Sequence, residues 1–180
     1  MAEQALRLMT VDEFLAWDDG TDVRYELSAG ALWAMAPPDA PHRIIVANIT
    51  TLLHVGLKQR KPCRPENEAG LRISEQTMWQ ADIAVTCDPP AREIATPLMI
   101  VEVLSPSTRM HDLGRKLVDY RTLPSVQEIW LVDSERRWVQ VWGRDGDRWI
   151  VRDLVGGAVF ASGTLAAEVP LDQVYANSGL

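Results

Sequence analysis

The chain has 180 residues, 47% of them hydrophobic, which is the right size and apolar content for a single compact domain spanning residues 1–180. No stretch approaches the roughly 20 continuous apolar residues of a membrane span, and the first ten residues lack a signal peptide's basic start and apolar middle, so a soluble, cytoplasmic protein is expected. The formal charge of −7 argues against a broad nonspecific nucleic-acid surface, because phosphate binding rewards clustered Lys and Arg. Local basic patches at Lys58 to Lys61 and at Arg109 with Arg115 are exceptions, each more simply read as solvated surface. Cys63 and Cys87 stand in no metal-binding spacing and are expected to be reduced and structural.

In chain order, Thr10-Val11-Asp12-Glu13 has capping-box form and predicts a short helix to about Trp17. Val23 to Leu27 and Ala31 to Met35 flank Ser28-Ala29-Gly30 and predict a hairpin, with Gly30 available for a positive φ. After the Pro37-to-Pro41 break, Ile45, Ile49, Leu52, Leu53 and Gly56 recur at helical spacing, which predicts a long helix from His42 to about Lys58. Beyond Pro62 to Pro65 come short apolar runs, Leu71 to Ile73, Ala81 to Thr86 and Pro97 to Leu104. The last is apolar on both faces, as a central covered strand should be. Ser105-Pro106-Ser107-Thr108 ends that strand and offers helix caps, and Met110 to Arg121 reads as a second helix. Glu128 to Asp133 is another buried strand, and Arg136 to Trp142 with Arg148 to Leu154 form an exposed hairpin around Gly143 to Asp147. The order predicts a mixed α/β domain with a central sheet.

Two carboxylates stand out. Asp82 opens a buried strand, and Glu102 lies inside the most apolar strand of the chain, where an uncompensated charge costs several kcal/mol. A shared cation is one compensation, and oxygen ligands favour Mg2+ or Mn2+ over zinc; a structural ion pair with Lys or Arg is the other. Asp112 and Lys116, four apart on the following helix, share a face from which the lysine can reach back over the strand's end; the plain alternative is an exposed surface pair. His54 reads as a packing or surface residue and His111 as a helix starter. Ser105 and Ser107 lack the Gly-x-Ser-x-Gly setting of a serine nucleophile. Trp130, Trp138, Trp142 and Trp149 read as packing residues, with any exposed subset a candidate dimer surface.

Tyr25-Glu26-Leu27, Gly30, the Pro37-Pro38 turn leading to His42, the Asp82 strand, Val101-Glu102-Val103-Leu104-Ser105-Pro106-Ser107-Thr108, Asp112, Lys116, Tyr120 and Val126 to Asp133 together resemble the Uma-two family. That family consists of restriction-endonuclease-like proteins within the PD-(D/E)xK nuclease superfamily, and the resemblance covers roughly residues 20 to 145. It implies a restriction-endonuclease-like fold with an N-terminal hairpin, Asp82 and Glu102 as metal-binding carboxylates, and the Val103 carbonyl as a further ligand. Two positions depart from the superfamily pattern: Ala81 replaces the proline before the Asp, and Leu104 stands where a lysine is expected. The family resemblance implies that Lys116 does that lysine's work. The third acidic element common in the superfamily is missing from the long helix; Glu26 is the candidate replacement, with His42 a weaker one.

The expectation is therefore a Mg2+- or Mn2+-dependent endonuclease acting on nucleic acid, DNA first, as a homodimer because cutting two strands favours two symmetric sites. A catalytically inactive nuclease-fold binding or regulatory module is the alternative from a different class. An enzyme of smaller phosphoesters is a third.

Overall fold

A computed structural model of the chain describes residues 8–106 and 109–180. Helix α1 (Val11–Ala16) carries the expected reciprocal cap: Glu13 N–H donates to Thr10 Oγ1 at 3.2 Å and Thr10 N–H to the Glu13 carboxylate at 2.9 Å. Strands β1 (Tyr25–Ser28) and β2 (Ala31–Ala34) form the hairpin. Both turn residues, Ala29 and Gly30, have positive φ (48° and 81°), as a primed two-residue turn demands. Gly30 is required for a second reason: a Cβ there would lie 2.6 Å from Cβ of Leu8.

Helix α2 (Ala40–Gly56) starts at the cap Asp39, whose carboxylate accepts the His42 N–H at 2.9 Å, and buries Ile45, Ile49 and Leu53. A long antiparallel pair follows, β3 (Arg64–Ser74) with β4 (Thr77–Thr86), and then β5 (Pro97–Leu104). The chain crosses over through α3 (Arg109–His111), a π-helical turn (Asp112–Lys116) and α4 (Leu117–Thr122), and enters β6 (Glu128–Asp133) parallel to β5. A parallel pair requires such a crossover, since a tight turn cannot connect two like-directed strands. Strands β7 (Trp138–Asp145) and β8 (Arg148–Val155) complete an eight-stranded mixed sheet in the order β2-β1-β4-β5-β6-β7-β8, with β3 paired to β4 off this path.

Alternation along the central strands divides the core. Met99, Val101 and Val103 face α2, together with Ile83, Val85, Trp130 and Val132. Ile100 and Leu104 face α4, with Ala84, Leu117, Tyr120, Ile129 and Leu131. By the same period of two, Glu102 points to the α4 side, where Tyr120 meets it.

The structure differs from the sequence-based expectation at four places. The second helix is not one α-helix from Met110 to Arg121. It is broken by the π turn, in which Leu117 N–H reaches back five residues to the Asp112 carbonyl. The cap expected at Ser107-Thr108 lies outside the described residues. Strand β3 runs from Arg64, well before the apolar run at Leu71, because its first half pairs with β4 through mostly polar or small residues, Arg64, Glu66, Asn67 and Gly70 among them, that no apolar pattern marks. The C-terminal segment, for which no element was predicted, forms β9 (Val159–Ser162), β10 (Ala167–Pro170) and α5 (Leu171–Val174), which cover the α2 side of the core with Phe160, Val169, Leu171 and Val174. Finally, Cys63 and Cys87 are not reduced: they form a disulfide. Their neighbours Arg64 and Thr86 are cross-strand partners, so the β3–β4 pairing itself brings the two thiols together, although 24 residues separate them in sequence.

Candidate active site

The site grows out of a fork in the sheet. Strand β3 occupies one edge of β4 along its whole length, from Arg64 opposite Thr86 to Ser74 opposite Thr77. Strands β1 and β5 must therefore share the other edge: β1 takes one end, Leu27 opposite Met78, and β5 the other, from Ile83 opposite Val101 to Thr86 opposite Pro97. Between Met78 and Ile83 no strand among the described residues lies against that edge. Its peptide groups must still be satisfied, and functional side chains do this. Gln80 N–H donates to Glu26 Oε1 at 2.9 Å, Asp82 N–H to Glu102 Oε2 at 3.4 Å, and the Gln80 carbonyl accepts from Lys116 Nζ at 3.4 Å. Asp82 Oδ2 in turn accepts the Val103 N–H at 2.7 Å.

Lys116 is at the centre. Its ammonium lies 2.7 Å from Glu26 Oε1, 3.3 Å from Glu102 Oε1 and 3.4 Å from Asp112 Oδ1, and the residue is only 4% exposed. The exposed Asp112–Lys116 pair considered from spacing alone does not form, because both residues are buried on the face turned to the sheet. Tyr120, one turn further on, donates its hydroxyl to Glu102 Oε1 at 2.6 Å. Asp112, Lys116 and Tyr120 therefore share one inward face, and the widened π turn brings two of the three onto the fork. Leu104, where the superfamily lysine is expected, is fully buried among Leu117 and Leu131 and has no route to the site.

The charges do not balance locally. Four carboxylates, Glu26, Asp82, Glu102 and Asp112, meet one ammonium and two imidazoles. Burial pushes the Glu102 carboxyl well above its usual range; Lys116 draws it back, while Asp112 and Asp82 push it further up. Burial would also raise Glu26, but the His111 imidazole beside it and the Lys116 ammonium hold it below its ordinary value. Lys116 shows the converse: burial disfavours its charge, yet Glu102, Glu26 and Asp112 outweigh that and raise its pKa, so it stays protonated. Tyr120 is raised by burial and then by Glu102, which keeps it a hydrogen-bond donor.

Two histidines join the group. His42, at the start of α2, places Nε2 3.2 Å from Asp82 Oδ2. Burial lowers its pKa, but Asp82 against the ring overrides this and raises it. His111 sits with Nε2 3.6 Å from Glu26 Oε2, just beyond hydrogen-bond range, and its ring lies between Trp33 and Trp79. Its role as a helix starter accounts for neither contact. No local pattern marked His111 or Trp33, because their neighbours come from the hairpin and from β4.

A divalent cation fits this donor set. It would favour the ionised form of Glu102, which burial, Asp112 and Asp82 now disfavour, and the donors are oxygens. The N–H and C=O of a strand residue point to the same edge, so the Val103 carbonyl faces β4 as its N–H does. Among the described residues no three His, Cys, Asp or Glu side chains gather as an ion-holding group. A cation here would thus rest on Asp82, Glu102 and a backbone oxygen. These residues line a cleft of about 750 Å³ together with Arg24, Trp33, Arg43 and the Met35 to Asp39 segment.

The chain is similar to known proteins along most of its length. Two proteins of Synechocystis sp. are each 26% identical to the chain: slr1290 over 174 residues, covering 93% of this chain and 91% of its own length, and sll1609 over 164 residues, covering 87% and 93%. The crystal structure of a protein from Anabaena variabilis, described as "a putative nuclease belonging to DUF820", superimposes with a TM-score of 0.78 at 17% identity, covering 93% of this chain and 97% of that one. At that identity the match speaks for the fold alone: a mixed sheet flanked by helices, shared with a nuclease-fold protein. Residues 11–170 match the family model Uma2, "Putative restriction endonuclease", and the chain belongs to that family.

Proposed function

We propose that this chain is a Mg2+- or Mn2+-dependent endonuclease that hydrolyses phosphodiester bonds of nucleic acid, DNA first, at the fork between β1, β4 and β5. The observation that carries the reading is the convergence of Glu26, Glu102 and Asp112 on one buried lysine, with Asp82 beside Glu102, an arrangement short of positive charge at the mouth of a cleft. Asp82, Glu102 and the Val103 carbonyl would hold the cation. When bound, it would supply Lewis-acid polarisation of a phosphate and a more acidic water.

The chain's own groups divide the remaining work. Lys116, held protonated, is not a general base; it fixes the orientation of Glu102 and contributes positive charge where charge develops on the reacting phosphate. Glu26 and Asp112 anchor Lys116 in that position. Tyr120 fixes Glu102 Oε1 and so leaves Oε2 directed toward Asp82. His42 orients Asp82. Cutting both strands of a duplex would call for two copies of the chain related by a twofold axis. No helix among the described residues is long and apolar enough to cross a membrane.

A second reading, a nuclease-fold binding module without turnover, draws on the full engagement of Lys116, whose ammonium already has three carboxylates and a carbonyl as partners. One experiment separates the two. Purified protein is incubated with supercoiled plasmid and with Mg2+ or Mn2+, beside Asp82→Ala. Nicking by the wild type that is lost in the variant and in chelator supports the endonuclease. Intact plasmid in every lane, with retained oligonucleotide binding, supports the module.

A further inference from the structure

Trp33 is the largest exposed apolar side chain at the cleft, 51% accessible. It stands directly across the hairpin from Glu26, and cross-strand partners project to the same face, so the indole and the carboxylate that anchors Lys116 share one side of the sheet. A single exposed tryptophan needs no explanation. This one, however, is the outer member of a fixed aromatic column. Its ring stacks on His111 with centroids 5.1 Å apart and planes inclined by 25°, and His111 meets Trp79 edge-on at 5.0 Å. Trp79 is buried, with its indole N–H donated to Asp119 at 2.7 Å. The column is anchored in the core at one end and open to the cleft at the other, so the outer indole is held in place with little ordering left to lose on binding.

Charge shows why such a surface matters here. Phosphate neutralisation supplies most nonspecific affinity for nucleic acid, but the chain carries −7. Of the two arginines at the cleft, Arg24 is paired with Glu68, and Arg43 donates to the Pro38 carbonyl at 2.6 Å. Stacking is independent of this deficit, works with any base, and contributes about 1–3 kcal/mol per base. It requires a free base face, whereas a paired base in a duplex shows a side chain only its edges in the grooves.

We propose that the open face of Trp33 is a nucleobase-stacking subsite beside the carboxylate fork, and that the nucleic acid taken there is single-stranded. The identity of the ligand as nucleic acid rests on the endonuclease reading; the stacking subsite rests on the aromatic column. A strand taken singly would also need only one copy of the chain per cut, in place of the twofold pair that duplex cleavage calls for.

The test is fluorescence anisotropy in chelator, so that binding is read without cleavage. The probes are a short fluorescein-labelled oligothymidylate, an abasic oligomer of the same length and backbone, and a duplex of that length. The wild type should bind the oligothymidylate more tightly than the duplex. Trp33→Leu, which keeps apolar bulk but removes the ring, should weaken that binding about tenfold and leave abasic binding unchanged, and Trp33→Phe should restore most of the loss. Equal binding of the base-bearing and abasic oligomers by the wild type overturns the proposal without any variant, as does duplex binding as tight as that of the single strand, or no binding at all. Trp33-dependent binding without Mg2+- or Mn2+-dependent cleavage of either the oligothymidylate or the plasmid would leave the subsite standing and remove the endonuclease. Nicking with Trp33-independent binding would remove the subsite alone.

Discussion

Two buried glutamates on the paired strands β5 and β6 have opposite surroundings. Glu128 at the start of β6 is 3% exposed and accepts three neutral donors: Trp130 Nε1 at 2.7 Å, Ser162 Oγ at 3.0 Å and the Thr164 N–H at 2.9 Å. Glu102 on β5 is 2% exposed and accepts from Tyr120, Lys116 and a long Asp82 N–H bond, with Asp82 and Asp112 crowding it. The first carboxylate is satisfied by dipoles and ties the β9–β10 segment to the sheet. The second is left with like charges as neighbours, a cost that a fold without a use for it would shed. Burial alone does not mark a functional carboxylate; a shortage of compensating charge does.

The largest effect expected from this contrast lies at Glu102. Glu102→Gln keeps an acceptor for Tyr120 but removes a charge, so plasmid nicking should fall at least about a hundredfold. Calorimetric Mg2+ binding should be lost, and urea stability without metal should stay level or rise. Unchanged Mg2+ binding in that variant would remove Glu102 from the metal site.

Next in size is Lys116→Met, which strands Glu26, Glu102 and Asp112 without their cation. Removing one partner of a buried ion pair costs about 3–5 kcal/mol, so the metal-free protein should melt well below wild type. Millimolar Mg2+ should recover more of its thermal stability than it adds to the wild type, since the added cation relieves the same carboxylates. Equal Mg2+ increments in the two proteins would show that lysine and cation do not share these acids.

Glu128→Gln should be milder and of a different kind. Donors placed for a carboxylate lose charge-assisted strength, costing about 1–3 kcal/mol in urea unfolding, while nicking and Mg2+ binding stay at wild-type level. Altered Mg2+ affinity would undo the division between a structural and a functional glutamate.

The smallest effect concerns Asp133, the acid at the opposite end of β6 from Glu128. Burial would raise its pKa, but the Glu135 N–H, Arg109 and Arg136 hold it below its ordinary value. A depressed folded pKa adds stability above the unfolded carboxylate range, near pH 4, and loses it as pH falls through the folded value. Asp133→Asn should therefore destabilise the protein at pH 7 and narrow the gap to wild type at pH 3, both read by urea melts. A constant gap would mean that the pairing does not set the acid sensitivity of this region.

The sequence alone determined much of the framework. Periodicity and turn residues are local, so the capping box at Thr10, the primed turn at Gly30, the α2 face and the apolar strands β5 and β6 were all legible. So was the anomaly of Glu102, a carboxylate inside an apolar strand, whereas Lys116 reads locally just as well as half of an exposed pair with Asp112. What only the tertiary structure decided comes from segments distant in the chain. The fork exists because β1 and β5 share one edge of β4, a fact of topology that leaves no periodic trace. It sets Glu26, from the hairpin, against Lys116 and brings His42 onto Asp82. The π turn is invisible in a pattern that reads equally well as plain α-helix from Met110 to Arg121. The Cys63–Cys87 bond depends on strand register, which a separation of 24 residues does not encode. Trp33, His111 and Trp79 come from a hairpin, a helix start and a central strand; each looks ordinary by itself, and the column they form exists only where those three elements meet.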